Sequence, residues 1–97
     1  MRILWVSDPP QASTAYANQT ALFLPRLRAA GHEVALLATG SGYAHALPDG
    51  TPVLPVVSDR YGNSVVAEHA RRFGADVVLT LLDPHVLAPE VYVQLPW

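Results

Sequence analysis

The sequence predicts an α/β domain: a mostly parallel sheet in the strand order 3-2-1-4, with helices on both faces. Three observations carry that expectation. Short, continuously apolar runs alternate with longer segments of helical period. The two helical segments that return to a strand stop at a glycine, Gly31 and Gly74. Crossovers between parallel neighbours are right-handed, which limits four such strands to half of a doubly wound arrangement.

The first strand is residues 3–7, ILWVS, apolar throughout and stopped by Asp8-Pro9-Pro10. From about residue 15 to 30 the period becomes helical, with Tyr16, Thr20, Phe23, Leu24, Leu27 and Ala30 on one face. Ser13 or Thr14 supplies the N-cap hydroxyl, and Gly31 the left-handed stop. Pro25 removes one helical hydrogen bond, so a kink or a division into two pieces is expected. Residues 33–39 form a second strand, followed by a polar, glycine-bearing loop over 40–50.

Residues 52–57 form a third strand, expected at a sheet edge because Pro52 and Pro55 cannot donate to a ladder. A loop over 58–63 leads, with Asn63 as N-cap, into a helix over 64–73 whose inner face is Val65, Val66, His69, Ala70 and Phe73. Residues 76–82, DVVLTLL, are apolar enough for a central fourth strand. Asp83-Pro84 then starts a helical turn, and Pro89 a second. The closing Leu95-Pro96-Trp97 stands where a fifth strand would begin. Residues 1–97 are therefore expected to be the front of a longer protein, truncated at the C-terminal end of the domain.

Composition narrows the function. A chain of 97 residues with 51% hydrophobic and 14% charged residues builds one modest core. All six basic residues are Arg and none form a run, so no nucleic-acid partner is expected. Absence of Cys excludes disulfides and thiolate chemistry and fits a cytoplasmic protein. Nothing approaches a signal core or a membrane span, and four helix arginines (Arg26, Arg28, Arg71, Arg72) are too few to argue docking on a membrane. The four His are scattered without ligand spacing, so no metal site is expected, and no cofactor either.

In open parallel sheets ligands bind beyond the carboxyl ends of the strands, where strand order reverses. Three loops reach that point: 8–16, 58–63 and 83–85, each bearing an acid, Asp8, Asp59 or Asp83. The first lacks glycine, so any ligand contact there comes from helix-end amides, the hydroxyls of Ser13 and Thr14, and the Tyr16 ring rather than from a close backbone cradle. The second offers Asp59 and Tyr61 as sugar-hydroxyl contacts. The third offers Asp83 and His85, the latter able to titrate near neutrality. Each hydroxyl or acid also has a purely structural use as a helix or turn cap.

Taken together, RILWVS, a polar loop, a long helix leaving through 28-RAAGHEV-34, and 74-GADVVLTLLDPHV-86 resemble the N-terminal domain of GT-B glycosyltransferases of the retaining, family-four kind. Arg28, Gly31, His32, Glu33 and Val34 match the family's Arg-x-x-Gly-His-Glu-Val signature in place. The family often has glycines where Ala15 and Ala17 stand, and histidines where Leu79 and Leu81 stand. The resemblance implies a Rossmann-like, acceptor-side domain, facing a C-terminal domain that lies outside these residues. It implies a nucleotide-sugar donor, a sugar or lipid-linked acceptor, and no transfer by residues 1–97 alone. Carried over, the contact segment is Ser13, Thr14, Ala15 and Tyr16; the catalytic residues are not assigned.

Two other classes compete. A non-catalytic regulatory or ligand-binding module of the phospho-receiver type would use the strand-end acids, but needs a Lys that this chain lacks. A dinucleotide-binding fragment would need Gly-x-Gly-x-x-Gly after the first strand and an acid after the second, and 35-ALLATG-40 carries none.

Overall fold

The computed structural model describes residues 1–56 and 59–96. The elements run β1 (Arg2–Ser7), α1 (Ala15–Ala29), β2 (Glu33–Ala38), β3 (His45–Ala46), β4 (Pro52–Leu54), α2 (Val66–Phe73), β5 (Val77–Thr80), a 3-10 turn (Pro84–Val86) and α3 (Pro89–Tyr92). One five-stranded sheet has the order β3-β4-β2-β1-β5. β1 runs parallel to β2, from Arg2↔Glu33 to Ser7↔Ala38, and parallel to β5, from Ile3↔Val77 to Val6↔Thr80. β4 is parallel to β2, with Leu36 opposite Val53.

Strand parity explains the continuous apolar runs. Ile3 and Trp5 point into the layer holding Leu24 of α1, Leu36 and Val53. Leu4 and Val6 point the other way, into the layer holding Leu37, Val66 and Ala70 of α2, Val78 and Tyr92. Both faces are covered, so neither set of positions can be polar. Each such Leu or Val, fully buried, contributes about 1.5–3 kcal/mol.

The strand order differs from the expected 3-2-1-4. An unforeseen two-residue strand, β3, adds antiparallel to β4 through His45↔Val53 and makes the sheet mixed. The prolines of the third strand therefore do not sit at the outer edge. Pro52 is the strand's first residue and Pro55 lies just past its end, so neither occupies an interior donor position. The strand also stops at Leu54 rather than running to residue 57; Val57 and Ser58, like Trp97, lie outside the described residues. The hairpin is closed by Thr51 and Asp49. The Asp49 carboxylate accepts from the Thr51 N–H at 3.0 Å and hydroxyl at 2.7 Å, and Arg28 of α1 donates to the same hydroxyl at 2.6 Å. Those Thr51 bonds, with help from Arg28, hold the Asp49 carboxyl below its usual range.

Three further expectations are corrected. α1 is one continuous helix through Pro25, not two pieces. Its buried face is Ala17, Thr20 and Leu24, whereas Phe23 and Ala30 are exposed, so the helix is rotated from the face that periodicity suggested. The apolar fourth strand, β5, ends the sheet instead of lying centrally, and Leu79 is 37% exposed. Its Val78 N–H is met by the Pro96 carbonyl at 2.8 Å, which partly covers that edge.

The helix ends follow the glycines. After α1, Gly31 N–H bonds the Arg28 carbonyl and His32 N–H the Leu27 carbonyl; after α2, Gly74 and Ala75 repeat the pair on Arg71 and Ala70. α2 begins at Val66 rather than residue 64, with no side-chain cap. Asn63, the expected N-cap, is used elsewhere.

Candidate functional site

The C-terminal rim is assembled by side chains that tie neighbouring strand ends together. Ser7, the last residue of β1, donates through its hydroxyl to the Leu81 carbonyl at 2.7 Å. Asp8 follows and accepts two hydroxyls, Thr39 at the end of β2 and Thr14 before α1, each at 2.6 Å. Thr14 is also the N-cap of α1, accepting the Ala17 N–H at 3.0 Å. The first turn of the helix then carries Tyr16 across to Asp83, and the phenol donates to that carboxylate at 2.5 Å.

The loop before α2 is a wound turn. Asp59 accepts the N–H groups of Tyr61 at 2.9 Å and Asn63 at 3.1 Å. Gly62 has φ +81°, and a Cβ there would lie 2.9 Å from Leu37 Cδ2, so the turn presses its backbone onto the core. Asn63 spans to the third loop: its amide donates to the Val86 carbonyl at 2.7 Å and its oxygen accepts the Ala88 N–H at 2.9 Å. That use, which needs both halves of a carboxamide, is why Asn63 does not cap α2.

The three loops converge on one cleft of about 180 Å³. Asp8 and Tyr16 form one wall, Arg60 and Tyr61 a second, and Leu82, Asp83, His85 and Val86 the third. The Arg60 guanidinium lies 5.7 Å from the Tyr61 ring centre. The hydrogen bond to Asp83 holds the Tyr16 phenol above its usual pKa, with burial and the charges of Asp83 and Asp8 acting in the same direction. Tyr16 is therefore a neutral donor at physiological pH.

Of the eight residues expected at a site, Tyr16, Tyr61, Asp83 and His85 line this cleft. Thr14 reaches it only through Asp8, and Asp59 stands behind it as the turn cap. Ser13 and Ala15 are exposed and outside its walls. Sequence reasoning did not single out Arg60, Leu82, Val86 or the support from Thr39. Position was the only signal for Thr39, a hydroxyl residue directly after an apolar strand. The other His lie elsewhere: the His32 ring contacts the N-terminal amine at 3.2 Å, and His69 Nε2 donates to the Pro55 carbonyl at 2.9 Å.

A wider cleft, about 480 Å³, opens between α2 and α3 beside Ala67, Arg71, Glu90 and Gln94. Size favours that one, but convergent chemistry favours the rim, where two carboxylates, two phenols, a guanidinium and an imidazole face one another. Among the described residues no group of three or more His, Asp or Glu is placed to hold a metal ion. No described helix is long and apolar enough to cross a membrane.

Comparison with protein-family models, curated proteins and solved structures found no match to this chain.

Proposed function

We propose that this chain supplies the acceptor-binding wall of a retaining, GT-B-type glycosyltransferase, acting with a nucleotide-sugar-binding domain outside these residues. The observation that carries the reading is the cleft joining Asp8, Tyr16, Tyr61, Asp83 and His85 at the strand ends. Carboxylates and phenols at close quarters suit an uncharged polyol. Carboxylate oxygens accept from sugar hydroxyls, and an aromatic ring covers the apolar C–H face of a pyranose.

The same residues speak against a diphosphate in this cleft. The N-terminus of α1 would otherwise attract an anion, but Asp8 already sits one hydrogen bond from its cap. Among the described residues, Arg60 is the one permanently cationic side chain on the cleft wall. The donor diphosphate is therefore assigned to the partner domain. Here the acceptor hydroxyl would be oriented by Asp83 and Asp8, and His85 would be available as a proton carrier. Orientation of this kind lowers a barrier without covalent chemistry from the protein.

Amide chemical shifts test this. Methyl glycosides added to the isotopically labelled chain should move the signals of Tyr61, Asp83 and His85, and uridine diphosphate should leave them in place. Binding of the diphosphate at Thr14–Tyr16 with no response to any glycoside would overturn the assignment.

A further inference from the structure

We infer that the rim holds a second sugar ring, so that the acceptor is an oligosaccharide of at least two units; this rests on the acceptor-side reading above. A second cleft of about 210 Å³ adjoins the first. Its walls are Pro9 and Gln11 from the loop after β1, Thr39 to Ser41 at the end of β2, and Tyr43 and His45 leading into β3. Among the described residues no Asp, Glu or Arg lines it, which favours an uncharged ligand even more clearly than the first cleft does.

Its chemistry is that of a sugar subsite. Tyr43 is 68% exposed, and its ring lies 4.7 Å from that of His45, centre to centre, at 34°. The backbone beneath the pair is tied down: the Tyr43 carbonyl lies 3.2 Å from the Ser41 hydroxyl that donates to it and 3.3 Å from the His45 ring nitrogen, which orients the imidazole against the Tyr43 ring. This exposed aromatic surface beside Gln11, Thr39 and Ser41 offers stacking to one face of a pyranose and donors and acceptors to its edge. The two clefts are of similar size, about 180 Å³ and about 210 Å³.

Two hydrogen bonds connect the walls of the clefts. Thr39 lines the second and donates to Asp8, which lines the first. Gly40 lines the second, and its N–H donates at 3.0 Å to the carbonyl of Arg60, which lines the first. The two subsites therefore share hydrogen-bonded walls, and a ligand joined across them gains from both.

The test titrates the labelled chain with methyl α-glucopyranoside, methyl α-mannopyranoside and the α-linked disaccharide of each. The expected result is a disaccharide bound about tenfold more tightly than its monosaccharide, with shifts at Gly40, Ser41 and Tyr43 as well as at Asp83 and His85. Tyr43→Ala, at an exposed position, should abolish the gain, while the monosaccharide shifts at Asp83 and His85 persist. Equal affinities with shifts confined to Asp83 and His85 would overturn the second subsite and leave the acceptor reading standing. Silence at both clefts with every sugar would overturn both.

Discussion

At the scale of single residues, Gly62 and Tyr16 decide how the cleft is held. Gly62 combines φ +81° with a Cβ position 2.9 Å from Leu37 Cδ2 and 3.2 Å from Val56 Cγ1. Gly62→Ala adds left-handed strain of about 1–2 kcal/mol to overpacking of about 1–3 kcal/mol. Urea unfolding should register a loss of about 2–5 kcal/mol, whereas Gly42→Ala, with open space and no positive φ, should change little. A Gly62→Ala protein of native stability would contradict the packing described for this turn. Tyr16 owes its raised pKa first to its hydrogen bond with Asp83. Asp83→Asn removes the carboxylate that favours the protonated phenol, so the Tyr16 pKa should fall back toward the ordinary tyrosine value. Ring-carbon shifts followed through an alkaline titration measure this directly, and an unmoved midpoint would mean that the contact is not made in solution.

At the scale of elements, α1 accommodates a residue that helix chemistry disfavours. Pro25 has no N–H for the Ala21 carbonyl, yet the helix runs unbroken from Ala15 to Ala29. Its ends explain the tolerance. Thr14 caps the start, Gly31 and His32 satisfy the last carbonyls, and Ala17, Thr20 and Leu24 are buried against the sheet. Tertiary packing outweighs the local penalty, so the helix is not divided, division being one of the two outcomes, with a kink, expected from the sequence. The penalty is still present in the native state. Pro25→Ala restores a donor worth about 3 kcal/mol on the helix scale and gives back about 1 kcal/mol of unfolded-chain entropy. The variant should therefore be more stable by about 2 kcal/mol in thermal or urea unfolding; a destabilised variant would show that Pro25 is held by contacts that outweigh the missing bond.

At the scale of the whole molecule, what could be read from sequence was what period and punctuation encode. Apolar runs at 3–7 and 33–39 gave two buried parallel strands, and Gly31 and Gly74 marked two helix ends. Three rim loops reach one cleft because parallel strands deliver their ends to the same side. The rest depended on long-range contacts that leave no local pattern. β3 is two residues long and exists through pairing with β4; Asn63 serves a segment more than twenty residues away; the α1 face is set by what the sheet offers it. Tyr92 is the clearest instance. Nothing in 89-PEVY-92 announces a core residue, yet its ring is 1% exposed among Leu4, Val66 and Ala70, fastening the last segment to the sheet. Burial pushes its phenol from 10.0 to about 12, with the charge of Asp59 adding to the shift. Between those values the unfolded chain has released this proton and the folded chain keeps it, so the unfolded state binds fewer protons and stability falls as pH rises. The contribution is whole below pH 10 and gone above about pH 12. Urea midpoints across that interval should decline in the parent protein, and Tyr92→Phe should remove one proton's share of the slope, about 1.4 kcal/mol per pH unit, while the share from Tyr16 remains. An unchanged slope in Tyr92→Phe would mean that the ring is solvated and that the C-terminal segment is not fastened to the core as described.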